Sequence, residues 1–444
     1  MSKYFGTILI GIQLLFVAAS GVYGENESVS LSLNDAVNLA FTNNKDIQVQ
    51  EEEVEIAKAN ILGARSGYLP RLNVGYSYTR NGAVLALPSQ AEIDMYKDLG
   101  VFTGYDNDNQ VNLSIRESIY DGGFSIASAK QSRIKLTIQE ETLRFEKSYI
   151  EFEVKRLYYG LLLAYETRRI TEDLLKQAES HYEDVKNKFD QGTSSRFDVL
   201  QSKVQVSKIM PELVRAKNAV DLISSDLKKI LGLKMNDFLA LKDNLSYETA
   251  EINEEEFLRK AYANNPEVVL KTLGIDAGNV GISMARASGR LQVDASAAYY
   301  YRSDGIGDMF NERHNNWNAG ITVTMPLFDG FSTKAKVDEA KAKYEQAVLN
   351  KEDINDRIAV DIRKACLDLL EAEAIIKSQR DSVEEAKESL RISEISYENG
   401  EGTNLDILDA QVSLSQIEKN LSEGIYDYLM AKAYLDKTMG KAFD

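Results

Sequence analysis

Residues capable of acid–base or nucleophilic chemistry are scarce in this chain of 444 residues. It has two histidines, His181 and His314, and one cysteine, Cys366. One cysteine allows no internal disulfide and no thiolate zinc site, and two distant histidines offer little for imidazole catalysis or metal binding. The patterns GxxxxGK(S/T), HExxH, GxSxG and CxxC do not occur. We therefore predict no enzyme activity, no catalytic residue, no metal site and no cofactor.

The carboxylates with the most informative spacing follow two glycine-containing turns. The patterns S-x-x-D at 195–198 and T-x-x-D at 403–406 both match a capping box, in which a hydroxyl and a carboxylate complete the hydrogen bonds of a helix start. Capping alone can account for both aspartates. Asp409 lies one turn beyond Asp406 on the same helix face, and capping does not require it. The corresponding residue after the first turn is Gln201, so we take Asp409 as a candidate functional carboxylate.

The overall charge excludes one class of partner. The chain has 52 Lys and Arg against 69 Asp and Glu, a formal net charge of -17. A protein that binds duplex nucleic acid needs a basic surface to neutralise phosphates, so we predict no nucleic-acid partner. A hydrophobic content of 44% is ordinary for a folded chain, and only 5 prolines suit long uninterrupted elements.

The first residues have the pattern of a secretory signal. Lys3 precedes an apolar stretch that ends at Val22, followed by Tyr23 and Gly24 at the cleavage position. We predict a signal peptide at 1–24; the alternative, a retained anchor, is disfavoured by the polar and glycine residues within the stretch. No later run of about 18 apolar residues predicts a transmembrane helix.

The chain contains two copies of one unit. Ala40–Asn44 returns as Ala261–Asn265, Gly232 returns as Gly440, and both turns described above recur in order. Each copy has the pattern helix, helix, strand, strand, long helix, helix. The predicted organisation is a first repeat at 25–232, an equatorial linker at 233–252, a second repeat at 253–440 and a tail at 441–444. Predicted strands are about 71–80, 109–119, 290–302 and 316–326, with long helices at 124–190 and 331–399 and further helices at 195–231 and 403–439.

The predicted strands alternate strictly between apolar and polar residues, which indicates that their two faces meet different media. One interpretation is a soluble sandwich. The run lengths and the aromatic residues favour lipid, because tilted membrane strands need about 9–11 residues and end in aromatic girdles. If the strands run alternately up and down, the aromatic side chains fall near one end; the predicted girdle is Tyr76, Tyr78, Tyr299, Tyr301 and Trp317.

The predicted long helices exceed the size of a compact domain. At 1.5 Å per residue, the stretches 124–190 and 331–399 would each span roughly 100 Å. Apolar residues in the second recur every three or four positions, near the spacing of a coiled-coil seam. Four strands cannot close a lipid-exposed sheet, because bacterial barrels begin at about eight strands, so several chains must contribute to one barrel. The residues alone do not choose between two chains and three.

Together these motifs resemble the TolC family of outer membrane efflux proteins, over essentially the whole mature chain. The resemblance rests on the duplication, the strand pairs flanked by Pro70 and Pro326, the Tyr-Asp-Gly-Gly and Phe-Asp-Gly-Phe junctions at 120–123 and 328–331, and the two turns. It implies a mainly α-helical homotrimer, with a 12-stranded outer membrane β-barrel continued by a periplasmic α-helical barrel. It also implies an exit channel for efflux or type I secretion, joined to an inner-membrane RND or ABC pump by a periplasmic adaptor, a membrane fusion protein. The alternative is a secreted helical scaffold or adhesin without a pore.

The resemblance also implies roles for individual residues. Asp406 and Asp409 match paired aspartates that ring the channel entrance, where they would form a cation-attracting gate. Tyr397 matches a latch tyrosine that hydrogen-bonds an aspartate of the neighbouring turn, here Asp198. The family arginine two residues after the turn glycine is Gly402 here, and Arg196 is a candidate replacement. The turns expected to contact the adaptor contain Gly192, Thr193, Ser194, Gly400, Gly402 and Thr403.

Overall fold

The computed structural model describes residues 29–81, 107–249, 251–303, 305–308 and 315–441. The predicted signal peptide at 1–24 lies outside the described residues, as do most of the two long loops, 82–108 and 303–315, and most of the tail at 441–444.

Each half of the chain forms two short helices, two strands and two long helices, as predicted. The elements of the first half are β1 (Val29–Leu31), α1 (Leu33–Asn43), α2 (Lys45–Arg65), β2 (Arg71–Arg80), β3 (Asn107–Asp121), α3 (Phe124–Asp190) and α4 (Arg196–Ile230). The linker contains β4 (Leu239–Leu241), and the second half contains α5 (Glu254–Asn264), α6 (Pro266–Ala287), β5 (Gln292–Ser303), β6 (Asn315–Thr324), α7 (Ser332–Glu398) and α8 (Asn404–Thr438). Helix α4 continues through Pro211.

The four long strands form one antiparallel sheet in the order β2-β3-β5-β6. Directly paired residues share a face, so the register decides whether the apolar positions meet. They do: Val74 pairs with Leu113, Leu113 with Tyr299, and Tyr299 with Trp317. The alternate positions place polar side chains on the opposite face. The sheet is therefore apolar on one side only, and its apolar side chains are largely exposed.

All five aromatic residues of the predicted girdle lie on this apolar face, toward one end of the sheet. Tyr76 and Tyr301 both pair with Val111, and Tyr299 pairs with Trp317. The rings of Tyr299 and Tyr301 are 5.4 Å apart between centroids in an edge-on arrangement. The up-and-down order of the strands thus brings together aromatic residues that are far apart in the chain.

Each strand pair continues into a long helix through a left-handed junction. In the first copy Gly122 and Gly123 have φ values of 74° and 90°. In the second copy Gly330 and Phe331 have φ values of 66° and 68°, and Phe331 is the non-glycine residue with positive φ in the described chain. Without a Cβ, glycine adopts this conformation readily, whereas a phenylalanine adopts it at a cost. The junction redirects the chain from the sheet into the helical part.

The long helices lie side by side in the order α4, α3, α8, α7. Helices α2 and α4 both pack along α3, and α6 and α8 both pack along α7. Two shorter helices therefore line each 67-residue helix. Within the described ranges, no helix is both long and apolar enough to cross a membrane.

In each copy, one asparagine links the start of one helix to the end of another by hydrogen bonds. The Asn44 side chain accepts hydrogen bonds from two backbone amides at the start of α2, and its Nδ2 donates to the Ile230 carbonyl at 3.0 Å. Asn265 caps α6 likewise, and its Nδ2 donates to the Thr438 carbonyl at 2.8 Å. One side chain thereby satisfies free backbone groups at the start of one helix and the end of another. This shared role explains why both Ala40–Asn44 and its copy Ala261–Asn265 end in asparagine.

A short parallel pairing that the sequence pattern does not predict joins the N-terminal residues to the linker. Strand β1 pairs with β4, so Val29 lies beside Leu239. The Tyr158 hydroxyl, buried on α3, donates to the Leu31 carbonyl at 3.0 Å or to Asp243 Oδ2 at 2.7 Å. The pairing and the buried tyrosine fasten the linker to the middle of α3.

Gly440 should tolerate substitution less well than Gly192, although both have positive φ, 65° and 80°. A Cβ on Gly192 would meet nothing within 4 Å, whereas one on Gly440 would overlap the Asn264 backbone. We expect Gly192→Ala to cost about 1–2 kcal/mol of stability, the cost of left-handed backbone. Gly440→Ala should cost clearly more, seen as a larger fall in the thermal unfolding midpoint in detergent. Equal shifts would show that the close approach at Gly440 is unimportant.

Candidate functional site

One turn joins α3 to α4 and another joins α7 to α8. Both lie at the end of the long helices opposite the sheet. Helix α3 is terminated by Gly192 and α7 by Gly400, with φ values of 80° and 77°. Thr193 N donates to the Lys188 carbonyl, and Glu401 N donates to the Ser396 carbonyl, each at 2.8 Å. Bonds of this kind, from an amide to the carbonyl five residues earlier, are typical of a glycine-terminated helix. They make a tight hairpin of α3 with α4 and another of α7 with α8.

Both predicted capping boxes form. Ser195 Oγ donates to Asp198 Oδ2 at 2.6 Å and accepts from Asp198 N at 3.1 Å. Thr403 N and Oγ1 donate to Asp406 Oδ2 at 2.8 and 2.7 Å. The hydrogen bond from the Thr403 backbone, with a further bond from its hydroxyl, lowers the pKa of Asp406 below its usual value. The Asp198 and Asp406 carboxylates are therefore both engaged in starting their own helices.

Asp409 is placed differently from Asp406. Its side chain is exposed and lines a cleft of about 510 Å³ between α4 and α8, together with Gln201 and Lys208. Within the described part of the chain, no cation lies within 4 Å of its carboxylate. Asp409 is thus an exposed carboxylate without a role in the capping box, whereas the Asp406 carboxylate accepts hydrogen bonds that start its helix.

The predicted latch tyrosine lies near the neighbouring turn, where Ser194 and Asp198 both influence the pKa of its hydroxyl. Ser194 Oγ donates to Asp198 Oδ2 at 3.4 Å. A direct bond between Tyr397 and Asp198 stays a prediction. Partial burial raises the pKa of Tyr397. The Lys188 ammonium lies 4.1 Å from the centre of the tyrosine ring, a cation–π contact.

Gly402, at the position of the family arginine, lies close to the end of α7. A Cβ on Gly402 would lie 3.1 Å from Ser396 Cβ and 3.1 Å from the Tyr397 nitrogen, so any larger residue requires the turn to shift. The proposed replacement, Arg196, is the first residue of α4, and among the described residues no carboxylate lies within 4 Å of its guanidinium. The structure therefore shows no ion pair for Arg196 in the single chain.

A buried polar cluster that the sequence patterns did not predict lies beside these turns. Asn404 Oδ1 is 2.7 Å from His181 Nε2 and accepts from Ser202 Oγ at 3.0 Å. Asn404 Nδ2 donates to Gln201 Oε1 at 3.0 Å. The available signal was a difference between the copies, since the position of Asn404 corresponds to Arg196 in the first. Across the described ranges, no group of three His, Cys, Asp or Glu residues is placed to hold a metal ion.

Burial of His181 makes stability depend on pH. Loss of solvent around the ring lowers its pKa below the usual 6.5, against the opposing effects of Asn404 and Asp184. The folded chain binds fewer protons than the unfolded chain just below that value, so this contribution to stability is lost as the pH falls from 6.5 through the lowered pKa.

We expect His181→Gln to lose less stability than the parent protein between pH 7 and about pH 5, measured by thermal unfolding. Glutamine can still donate to Asn404 but carries no titrating ring. Parallel pH profiles for the two proteins would show that His181 does not contribute.

Comparisons with known proteins agree with this architecture. The family model described as outer membrane efflux protein matches residues 36–233 and 257–441. Outer membrane protein TolC of Vibrio cholerae is 24% identical over 96% of this chain and 94% of its own length. The alkaline protease secretion protein AprF of Pseudomonas aeruginosa is 23% identical, over 92% of this chain and 84% of its own.

Solved structures show the same fold. The outer membrane protein VceC of Vibrio cholerae superposes with a TM-score of 0.78 at 17% identity, covering 93% of this chain and 97% of VceC. CusC, described as forming a transmembrane channel, has a TM-score of 0.80 at 18% identity, covering 94% and 93% of the two chains. The family model spans both repeats, including every long helix and the turns described above. The chain therefore belongs to the outer membrane efflux protein family, and it is an exit channel of the outer membrane.

Proposed function

We propose that three copies of this chain close one channel, with a 12-stranded barrel in the outer membrane and a tube of long helices in the periplasm. The observation that carries this proposal is the four-stranded sheet, which is apolar on one face and ends in the strands β2 and β6. Neither edge strand has a second partner among the described residues. Unpaired backbone groups cost several kcal/mol each in hydrocarbon, so a lipid-exposed sheet must close. The neighbouring copy supplies the missing partner strand.

The helical part supports the same assembly. Helices α4 and α7 lie at the two ends of the side-by-side order, and both carry large apolar side chains that the single chain leaves exposed. On α4 these include Phe197, Leu200, Val204, Met210, Val214 and Leu222. On α7 they include Leu349, Val360, Leu367, Leu370, Ile392 and Ile395. An exposed apolar stripe of this length is typical of a protein–protein interface, and we assign it to the neighbouring copies.

The entrance of the channel lies at the turn end of the helices. Three copies of Asp409, with Asp406 beside them, form a ring of carboxylates that favours cations, and Tyr397 with Asp198 restrains the turns. The turns containing Gly192, Thr193, Ser194, Gly400, Gly402 and Thr403 contact a periplasmic adaptor that couples the channel to an inner-membrane RND or ABC pump. The relative from Pseudomonas aeruginosa is named for protease secretion, and one from Pseudomonas putida is named for efflux. A one-sided apolar sheet argues against the non-pore scaffold or adhesin.

The assembly can be tested by purification in detergent. We expect the protein to require detergent, because the apolar face of the barrel meets lipid in the membrane. We expect it to have the protein mass of three chains, because the sheet edges and the helix stripes find partners only in the trimer. Light scattering combined with refractive index and ultraviolet absorbance separates protein mass from bound detergent. A chain that stays soluble and monomeric without detergent would contradict both the barrel and the trimer.

Asp409→Asn should weaken the cation preference of the channel. Removing one carboxylate per chain takes three charges from the entrance and leaves the capping box at Asp406 intact. The reversal potential under a KCl gradient across a planar bilayer measures the change. Glu423→Gln is the matched control, an exposed carboxylate farther along α8. An unchanged reversal potential for Asp409→Asn would remove it from the gate.

A further inference from the structure

We propose that an uncharged hydrogen-bond cluster centred on Asn404 holds the two helical hairpins together and sets how readily the channel entrance opens. This Asn404 cluster consists of His181, Gln201, Ser202 and Asn404. The proposal rests on the proposed function, since it assigns the restraint that acts on the same entrance.

The Asn404 cluster connects the hairpins directly. Asn404 begins α8 in the second hairpin, whereas its three partners lie on α3 and α4 in the first. As the amide is oriented, Oδ1 can only accept, so His181 donates from Nε2 and Ser202 donates from its hydroxyl. The other end of the amide donates to Gln201. One side chain therefore makes three hydrogen bonds from one hairpin to the other.

Burial makes these bonds costly to break. Asn404 is 2% exposed, Ser202 0% and His181 7%. Separating the hairpins would leave several buried polar groups without partners until water reached them, and such groups are far more costly than broken surface contacts. By comparison, the ion pair between Lys419 and Glu212, also between the hairpins, spans 4.0 Å with a half-exposed glutamate. An exposed ion pair of this kind stabilises little.

The position of the Asn404 cluster links it to the gate. Asn404 lies on the same helix start as Asp406 and a little more than one turn before Asp409, so movement of this helix start moves both carboxylates. The His181 ring also contacts Tyr397 edge-on, with 5.5 Å between ring centres. The cluster thus joins the latch tyrosine and the entrance carboxylates to one buried contact.

The cluster does not depend on charge. A neutral His181 already provides the donor that Asn404 needs, and the charged groups near its ring are Asp184 and Lys188 on α3 and Glu394 on α7. The bonds of the Asn404 cluster are neutral and buried. Salt screens exposed charges but has little effect on buried neutral bonds. The contribution of the Asn404 cluster to the closed state should therefore be insensitive to ionic strength.

Asn404→Leu tests the proposal, because leucine keeps the volume of the side chain and removes all three hydrogen bonds. We expect the open population of the channel in planar bilayers to increase about tenfold, which corresponds to about 1.4 kcal/mol. The ratio of the open population of Asn404→Leu to that of the parent protein should stay constant between about 0.1 and 1 M KCl. Asn420→Leu is the matched control, since Asn420 bonds only within α8, to Gln416.

Two substitutions of His181 separate the hydrogen bond from packing. His181→Phe keeps a ring against Tyr397 and removes the donor, so it should open the channel as Asn404→Leu does. His181→Gln restores a donor and should behave like the parent protein. Ser202→Ala, which removes one bond from a fully buried site, should have a smaller effect in the same direction.

The outcomes distinguish this proposal from the proposed function. If the parent protein forms no trimer and no conducting pore, the proposed function fails. If the parent conducts but Asn404→Leu matches Asn420→Leu, the Asn404 cluster is not the restraint. If Asn404→Leu does not assemble, His181→Phe and Ser202→Ala decide, and parent-like opening of both would overturn the proposal. A ratio between the open populations of Asn404→Leu and the parent protein that falls steeply with salt would overturn the neutral character of the restraint.

Discussion

The backbone of a strand facing hydrocarbon must be hydrogen-bonded on both sides, and this one requirement organises the protein. Among the described residues, one sheet has four such strands and two open edges. A single chain cannot satisfy the requirement, so other copies of the chain must pair with these edges. Around the closed barrel, each strand pair must then pass its chain into a long helix, which the left-handed junctions at Gly122 and Gly330 accomplish. The diameter of the helical tube follows from the number of chains that the sheet requires. The entrance is consequently built from equivalent turns of several chains.

The two repeats share the residues that build the fold and differ at several residues that we propose control the channel. Asn44 and Asn265 occupy the same role, as do the capping boxes at 195–198 and 403–406. Tyr397, Asn404 and Asp409 have no equivalent side chain in the first copy. A duplicated chain can keep the same architecture in both copies while the side chains at equivalent positions make different contacts. The hairpins consequently differ in what each can contribute to opening and closing.

Local patterns in the sequence predicted the elements well because their information is local. The strand alternation, the turn glycines and the capping residues act over two to six positions, and the structure places them as expected. The contacts that were missed join distant segments, such as the bonds from His181 and Ser202 to Asn404 and the pairing of β1 with β4. Neither has a periodic signature.

The pairing of β1 with β4 also bears on how the molecule is made. A chain synthesised from its N-terminus presents Val29–Leu31 long before Leu239–Leu241, its hydrogen-bonding partner. The same delay applies to Tyr158, because its hydrogen-bond partner Asp243 lies 85 residues further along the chain. Contacts of such high sequence separation form late and slow folding. The first repeat therefore depends on the linker for its last contacts. A fragment that ends before Leu239 would lack both the strand pairing and the Asp243 partner of Tyr158.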